Sequence, residues 1–292
     1  MHTGKMGSAS LLIALTALTS PALAAEGDPA SLLGRGSAGL ADPRDNAGIR
    51  RCMACVVLSE EYVASLDVGF PPGWRLGGSA RDTESGALGA GVIYTRDSFE
   101  GALDLADMPG WVLPDADLDN PTIEQSVRVG LGYALLERRL GLGLSGVWDR
   151  HASALTPTQN TYELDASLSG RVTNTLILGA TARELLPEGT RDPLYEVGAW
   201  WATGEVIAFA FDAQWQDRAE TFAGGLGGRV GAELNLEDAV AFRGGFEQLG
   251  QDPSAFGLGL GVLSEAGRLD YGFRYDLLGQ QSWHQLGLVL NL

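Results

Sequence analysis

The sequence is almost without lysine and cysteine, and beyond its first residues it has no long apolar run. Lys5 is the only lysine, and 37 acidic residues outnumber 20 basic ones. This balance argues against a nucleic-acid partner, because a phosphate-binding surface needs net basic charge. No later stretch approaches the roughly 20 uninterrupted apolar residues of a membrane-spanning helix. With 45% hydrophobic and only 20% charged residues, the chain is also not a disordered or coiled-coil protein.

Residues 1–24 are typical of a cleaved secretory signal. Lys5 precedes an apolar run from Leu11 to Leu18, and Ala22-Leu23-Ala24 provides small residues for cleavage. An exported chain without a spanning helix is either soluble or a closed β-barrel, since only helices and closed barrels leave the bilayer core free of unpaired backbone groups. We expect residues 25–58 to form a separate N-terminal, plug-like segment and residues 59–292 to form the main domain.

A two-residue period runs through the main domain and predicts strands. In the segment Tyr162–Val172, alternate positions are Tyr, Leu, Ala, Leu, Gly and Val, and those between are Glu, Asp, Ser, Ser and Arg. Successive side chains of a strand point to opposite faces, so this segment has one apolar and one ionic face. About fourteen such segments follow one another, with centres near residues 66, 77, 91, 130, 144, 167, 178, 198, 210, 228, 243, 259, 272 and 287. The expected fold is therefore all-β, a transmembrane antiparallel barrel of about fourteen strands.

The connections between these segments support the barrel and orient it. Short turns alternate with connections that are longer on the whole, and every proline beyond residue 60 falls in the second set, where no strand ladder needs its missing N–H. A soluble β-sandwich, the structural alternative, would not need its prolines on one side. Short periplasmic turns and long external loops are typical of outer-membrane barrels, so both termini are expected in the periplasm. Two aromatic girdles at the membrane interfaces are also predicted, from Tyr94, Trp148, Trp215, Tyr275 and Trp283 near the long loops and from Tyr133, Trp201 and Tyr271 nearer the short turns.

The last eight residues, Gln285–Leu292, resemble the C-terminal signal that the outer-membrane insertion machinery recognises, although the chain ends in Leu292 rather than Phe. We therefore expect the outer membrane of a Gram-negative cell as the location. The expected partners are outer-membrane lipid, lipopolysaccharide and the insertion machinery.

Three segments resemble the FadL/PorV-like family of outer-membrane proteins. They are the Gly-rich stretch Ser37–Ala47 with its Asp-rich turn, the segment Trp74–Tyr94 with Arg81-Asp82-Thr83, and the closing segment Leu269–Leu292. In place of the Asn-Pro-Ala motif of that family, this chain has Arg51-Cys52-Met53-Ala54-Cys55. The resemblance implies a fourteen-stranded barrel whose N-terminal segment folds into the lumen.

The same resemblance implies two functions. One is a channel or transporter for small hydrophobic molecules. The alternative is a non-transporting, PorV-like barrel that docks envelope protein partners of a secretion or surface-motility assembly. Transport predicts an apolar pocket beneath the external loops and a lateral gap in the wall, whereas an occluded lumen without a pocket would favour docking.

Polar residues of both signs occupy the inward positions of the predicted strands. A pore selective for one ion sign would show one charge at its constriction, so a mixed set favours an ionic network that braces the wall or holds the plug. Inward glycines would let a plug backbone approach the wall closely. The predicted lumen-facing polar residues are Arg128, Glu163, Asp165, Arg171, Glu196, Asp212, Arg229, Glu233, Arg243, Glu247, Asp270, Arg274 and Asp276.

Cys52 and Cys55 have the spacing of a redox motif or of half a zinc site. Zinc needs four ligands, and the only histidines of the main domain, His151 and His284, are predicted near external loops, so no metal and no cofactor are expected. The favoured interpretation is a structural disulfide made in the oxidising periplasm, with two buried thiols as the alternative.

An outer-membrane hydrolase is the enzyme alternative. Asp149, His151 and Ser153, and likewise Ser282 and His284, could place a base beside a nucleophile at the external rim. Such loose spacing is common by chance, and the preferred interpretation is rim polar residues without catalysis. We therefore expect the chain not to be an enzyme.

Overall fold

The computed structural model describes residues 30–70, 73–99, 122–152, 157–186, 193–204, 206–216, 225–237, 239–249, 254–278 and 280–292. Within these ranges the chain forms three short helices and then fourteen β-strands. The helices are α1 (Ala30–Gly34), α2 (Ala47–Arg51) and α3 (Met53–Val56). None of the helices in the described ranges has the length and apolar character needed to cross a membrane. The predicted signal peptide lies outside the described residues.

The strands follow the predicted alternation along the whole main domain. They are β1 (Tyr62–Phe70), β2 (Gly73–Asp82), β3 (Leu88–Phe99), β4 (Thr122–Leu135), β5 (Leu140–Ala152), β6 (Gln159–Arg171), β7 (Leu176–Arg183), β8 (Leu194–Thr203), β9 (Ile207–Gln216), β10 (Gly227–Leu236), β11 (Val240–Leu249), β12 (Ala255–Ser264), β13 (Gly267–Asp276) and β14 (Ser282–Asn291).

The strands close into one antiparallel barrel, which confirms the predicted fold. Each strand pairs with its sequence neighbours, and the ring closes where β1 lies against β14. Across this seam Leu66 lies opposite Leu288, and Gly69 lies opposite Gln285. We call the end of the barrel that holds Tyr62 and Asn291, together with the connections after β2, β4, β6, β8, β10 and β12, the terminal end. The opposite end is the loop end.

The two faces of the wall differ as the alternation predicts. Outward side chains are apolar and exposed, as at Leu131 (54%), Leu144 (56%) and Leu258 (54%). The residues between them point inward, and many are buried and charged, as at Arg243 and Glu247. An apolar outer surface on a closed barrel fits a hydrocarbon environment, because acyl chains solvate it and the ladder satisfies the backbone.

The buried core lies in the lumen. Residues 30–58, which we call the plug, lie inside the barrel and include α1, α2 and α3. Leu40, Ala54 and Cys55 of the plug pack against Ile177 and Trp200 of the wall in one apolar cluster. A second cluster joins the plug residues Ile49, Met53, Val56 and Val57 to the wall residues Ile93 and Ala134.

One detail differs from the sequence predictions. Trp283 was assigned to an aromatic girdle, but it lies opposite the inward-facing Arg274 and stacks against its guanidinium at 5.1 Å. The error comes from a strand end, where the alternation merges with the loop. Near the same end of the barrel, Asp97 of β3 is buried and pairs with Arg75 at 2.5 Å.

Candidate functional site

Inward-facing glycines bring the plug backbone into direct contact with the wall. A Cβ atom added to Gly245 of β11 would overlap the carbonyl of Arg35, and one added to Gly272 of β13 would overlap the carbonyl oxygen of Ala30. A Cβ atom added to Gly143 of β5 would lie 2.5 Å from the amide nitrogen of Ala54. Only glycine allows so close an approach of two backbones, so these positions fix where the plug can lie.

The plug backbone also bonds to polar side chains of the wall. Asp212 accepts hydrogen bonds from the amides of Gly39 (2.8 Å) and Leu40 (3.1 Å). Ser169 donates to the carbonyl of Ala54 at 2.6 Å, and Thr181 donates to the carbonyl of Arg51 at 2.7 Å. Because the plug helices are only four or five residues long, much of its backbone lacks helical partners, and the wall supplies them instead.

A layer of ion pairs lies between the inward-facing wall glycines and the terminal end of the barrel. Glu233 of β10 contacts Arg44 of the plug (3.3 Å) and Arg243 of β11 (2.8 Å). Arg243 continues to Asp270 of β13 at 2.7 Å. We call this set the terminal-side layer. Its cations Arg35, Arg44, Arg243 and Arg268 face the anions Asp42, Asp45, Glu233 and Asp270, so it carries no net charge.

Arg35 links the plug internally within this layer. Its guanidinium pairs with Asp42 (2.6 Å) and Asp45 (2.8 Å). It also stacks on Trp200, with the Arg35 Cζ atom 5.1 Å from the centre of the ring. Burial alone would lower the pKa of Arg35, but the Asp42 and Asp45 carboxylates raise it above its usual value. Arg44 also stacks on Trp200, at 4.9 Å. The plug is therefore folded around a fixed positive group.

A second ionic layer lies on the loop side of the glycines. It is a chain of ion pairs between wall residues. Glu196 of β8 pairs with Arg183 (3.6 Å) and Arg229 (3.0 Å), and Arg229 also pairs with Glu247 (3.4 Å). Arg51 of the plug joins it through Glu196 (3.2 Å). We call this set the loop-side layer. Its members are Arg51, Arg128, Asp165, Arg183, Glu196, Asp212, Arg229, Glu247 and Arg274.

The two layers hold the plug from both sides. On β10, β11 and β13 a glycine lies between two charged inward residues: Gly231 between Arg229 and Glu233, Gly245 between Arg243 and Glu247, and Gly272 between Asp270 and Arg274. Buried ion pairs add little net stability, but loss of one partner leaves an uncompensated buried charge. The arrangement therefore specifies one position of the plug more than it strengthens the fold.

The exit of the plug is fixed at the terminal end. Arg138, in the connection after β4, donates to the carbonyls of Val57 (2.7 Å), Ser59 (3.1 Å) and Thr83 (2.7 Å). Leu136, Glu137 and Arg138 have φ of 51°, 55° and 59°, a left-handed run that costs roughly 1–2 kcal/mol per residue. The hydrogen bonds of Arg138 offset this strain.

The cysteines lie in the plug. Cys52 and Cys55 form a disulfide, both are buried, and their sulfurs face Gly179 of β7. The disulfide joins the start of α3 to its third residue, where the Cys52 sulfur also accepts a hydrogen bond from the amide of Cys55 at 3.2 Å. Among the described residues no group of three or more His, Cys, Asp or Glu side chains could hold a metal ion.

The structure places all the predicted lumen-facing polar residues on the inner face, and most of them in the two layers. Glu163 and Arg171 are only partly buried, and Arg171 donates to the carbonyl of Leu58 at 2.8 Å. Asp276 is buried at the loop end and accepts from the amide of Leu278 at 3.0 Å. Four inward arginines of the described strands were missed: Arg75, Arg81, Arg183 and Arg268. The alternation Gly179-Ala180-Thr181-Ala182-Arg183 could have identified one of them.

The rim histidines make separate contacts. His151 lies 3.0 Å from Glu124 on the neighbouring strand, and His284 lies 2.7 Å from the hydroxyl of Tyr271. Ser153, the nucleophile of the enzyme alternative, lies outside the described residues. The expectation that the chain is not an enzyme stays a prediction.

Comparison with solved structures identifies the fold. The toluene transporter TbuX of Ralstonia pickettii matches with a TM-score of 0.63 and 13% identity, over 91% of this chain and 97% of that chain. A TodX variant described as a monoaromatic hydrocarbon channel matches with a TM-score of 0.59 and 11% identity, over 91% of this chain and 98% of that chain. No protein-family model and no curated protein sequence matches the chain. At such low identity the likeness shows a shared barrel fold.

Proposed function

We propose that this chain is a plugged channel of the Gram-negative outer membrane that passes small apolar molecules. The observation that carries the proposal is a closed barrel whose lumen is occupied by its own N-terminal segment, held between two ionic layers. An open general pore would leave its lumen to water. Here the plug fills the lumen, so passage of a solute requires that the plug shift, breaking ion pairs and hydrogen bonds to the wall and exposing part of the two apolar clusters.

The nature of the solute is inferred from structural relatives. The barrels that resemble this one over nearly their whole length are named as a toluene transporter and a monoaromatic hydrocarbon channel. The expected location puts the terminal end in the periplasm and the loop end outside, with lipid and lipopolysaccharide around the wall. Heat-modifiable gel migration of the protein from outer-membrane fractions tests this location.

Transport can be tested with a covalent link between plug and wall. A Cβ atom added to Gly287 of β14 would lie 3.3 Å from the Cβ of Ala30 in α1, just below the 3.5–4.5 Å of a disulfide. It would also lie 2.6 Å from Oδ1 of Asp67, whose side chain must shift in every variant with a cysteine at this position. The double variant Ala30→Cys/Gly287→Cys should therefore fix the plug, and each single variant is a matched control. Whole cells with an intact lipopolysaccharide leaflet are used, and entry of labelled toluene is compared with entry of arabinose.

We expect cells with the native barrel to take up toluene faster than cells without it. The double variant should lose this gain and recover it with dithiothreitol, while the single variants keep it. Equal uptake with and without the barrel would refute the channel. Equal uptake with the plug linked and free would refute plug displacement.

A docking role is the second candidate, and the filled lumen favours it. The plug is bonded to the wall on its terminal side, on its loop side and at its exit, as a permanent structural element would be. In that case the barrel would present its loop end to envelope proteins. It would give no toluene uptake in either state, and the linked variant would keep the cellular phenotype of the native chain.

A further inference from the structure

A small polar cavity lies between the plug and the wall beside the seam. It has a volume of about 20 Å³, and oxygen-bearing side chains line it: Asn46 from the plug and Ser65, Asp67, Ser79, Thr95 and Gln285 from β1, β2, β3 and β14. The three heavy atoms nearest to a Cβ atom added to the lining Gly77 all belong to the wall, in Asp67 (3.6 Å), Thr95 (3.7 Å) and Tyr94 (3.8 Å). At this point the plug leaves room for a particle the size of a water molecule or a small ion.

Asp67 is unusual among the buried carboxylates that line the lumen. It is 7% exposed and makes no ion pair with any described arginine, whereas Asp97, Asp165 and Glu196 each pair with at least one. Its contacts are hydrogen bonds from the amide of Ala30, at 3.2 Å, and from the side chain of Gln285. An ionised carboxylate in so buried a position requires a compensating positive charge.

Asn46 provides a second, independent observation. Its side chain is 6% exposed, and its Nδ2 donates to the hydroxyl of Ser79 at 2.8 Å. Its Oδ1 has no hydrogen-bond partner although it is buried. Ser79 in turn lies 2.6 Å from Ser65 between the two hydroxyls. Asn46 is a lining residue of the cavity, so the lining includes a residue with an unsatisfied amide oxygen. Buried polar atoms are nearly always satisfied, by protein, water or an ion.

We propose that this cavity binds one monovalent alkali cation of the size of Na⁺, held by the Asp67 carboxylate and the Asn46 amide oxygen. Hard cations take oxygen ligands, and the hydroxyls of Ser65 and Thr95 supply further ones. One carboxylate offers one negative charge, and Arg75, which also lines the cavity and is bound to Asp97, opposes a divalent ion. The cation replaces the arginine that Asp67 lacks and joins the plug to the first strand of the wall.

The test is thermal unfolding of the full barrel in detergent at constant ionic strength. Replacing N-methylglucamine chloride by NaCl up to 100 mM should raise the melting temperature of the native chain by roughly 2–4 °C, because the ion binds only the folded state. The bulky N-methylglucamine cation cannot enter the cavity. Asp67→Asn should abolish the difference between the salts, and Glu124→Gln, a rim carboxylate paired with His151, should retain it.

Asn46→Ala gives a second variant that keeps the wall intact and should weaken the sodium effect at least threefold. Equilibrium dialysis with labelled sodium should show one ion fewer per chain for Asp67→Asn than for Glu124→Gln. A native chain that melts at the same temperature in both salts would overturn the proposal and assign the cavity to water. Equal sodium binding by the two carboxylate variants would also overturn it. Neither outcome depends on whether the barrel transports a solute.

Discussion

Replacement of Gly245 by alanine tests the close approach of plug and wall. The added Cβ would overlap the carbonyl oxygen and carbon of Arg35 and lie 2.7 Å from the amide nitrogen of Gly36. These are backbone atoms, so rotating a side chain cannot relieve the overlap, and either the plug or β11 must move. The neighbouring Gly244 is a matched control, because its added Cβ would meet only the Cδ2 of Leu258, at an ordinary 3.9 Å.

The expected cost of Gly245→Ala follows from overpacking. Inserting one carbon into a filled interior typically costs about 1–3 kcal/mol, or roughly 2–12 °C in melting temperature for a chain of this size. Gly244→Ala should cost nothing and could add about 0.4–1 kcal/mol, because alanine reduces the freedom of the unfolded chain. Two adjacent glycines of one strand should thus respond with opposite signs.

The assay is the temperature at which the heat-modifiable gel shift occurs, together with the permeability of vesicles that contain each variant. Displacement of the plug by Gly245→Ala should also increase entry of small hydrophilic solutes. If both alanine variants melted at the temperature of the native chain, the plug would not touch the wall at Gly245, and the glycine argument would fail.

Three further changes test other contacts. Arg138→Ala should expose the exit of the plug to protease, since four carbonyls lose their donor, while Arg139→Ala in the same connection should leave the cleavage rate unchanged. Replacing Cys52 and Cys55 together by alanine should lower the unfolding free energy by about 2 kcal/mol, the entropy of a four-residue loop, measured by chemical unfolding. Glu233→Gln should cost about 1–3 kcal/mol in the same measurement, because the buried Arg243 loses one of its two carboxylate partners and keeps Asp270. No measurable loss would mean that the terminal-side layer is solvated.

The barrel itself was predictable because its signal repeats. The predicted strand Tyr162–Val172 corresponds to β6, Gln159–Arg171, and Leu164 and Leu168 point outward as the alternation requires. Successive residues of each strand face lipid and lumen in turn, so the alternation of apolar and polar residues in the sequence shows directly which side chains point outward. Prediction failed where that requirement ends, as at Trp283 near the loop end.

The interior was less predictable for a physical reason. The alternation along a strand assigns charged residues such as Arg229 and Glu233 to the lumen. It does not show which residues of different strands form an ion pair, as Arg243 and Asp270 do. The plug has no period at all. The position of the plug depends on the space left by the missing side chains of the wall glycines. That space cannot be recognised from the sequence of the plug alone or from the sequence of a wall strand alone.

Ala30 touches both strands of the seam, and this links the making of the wall to the filling of its interior. Its amide bonds to Asp67 on β1, and its methyl group faces Gly287 on β14. The first and last strands to be synthesised therefore meet around a residue that precedes both. A ring that closed without it would lack a contact on each side of its final joint, so closure of the cylinder is expected to be coupled to the placement of its own leading segment.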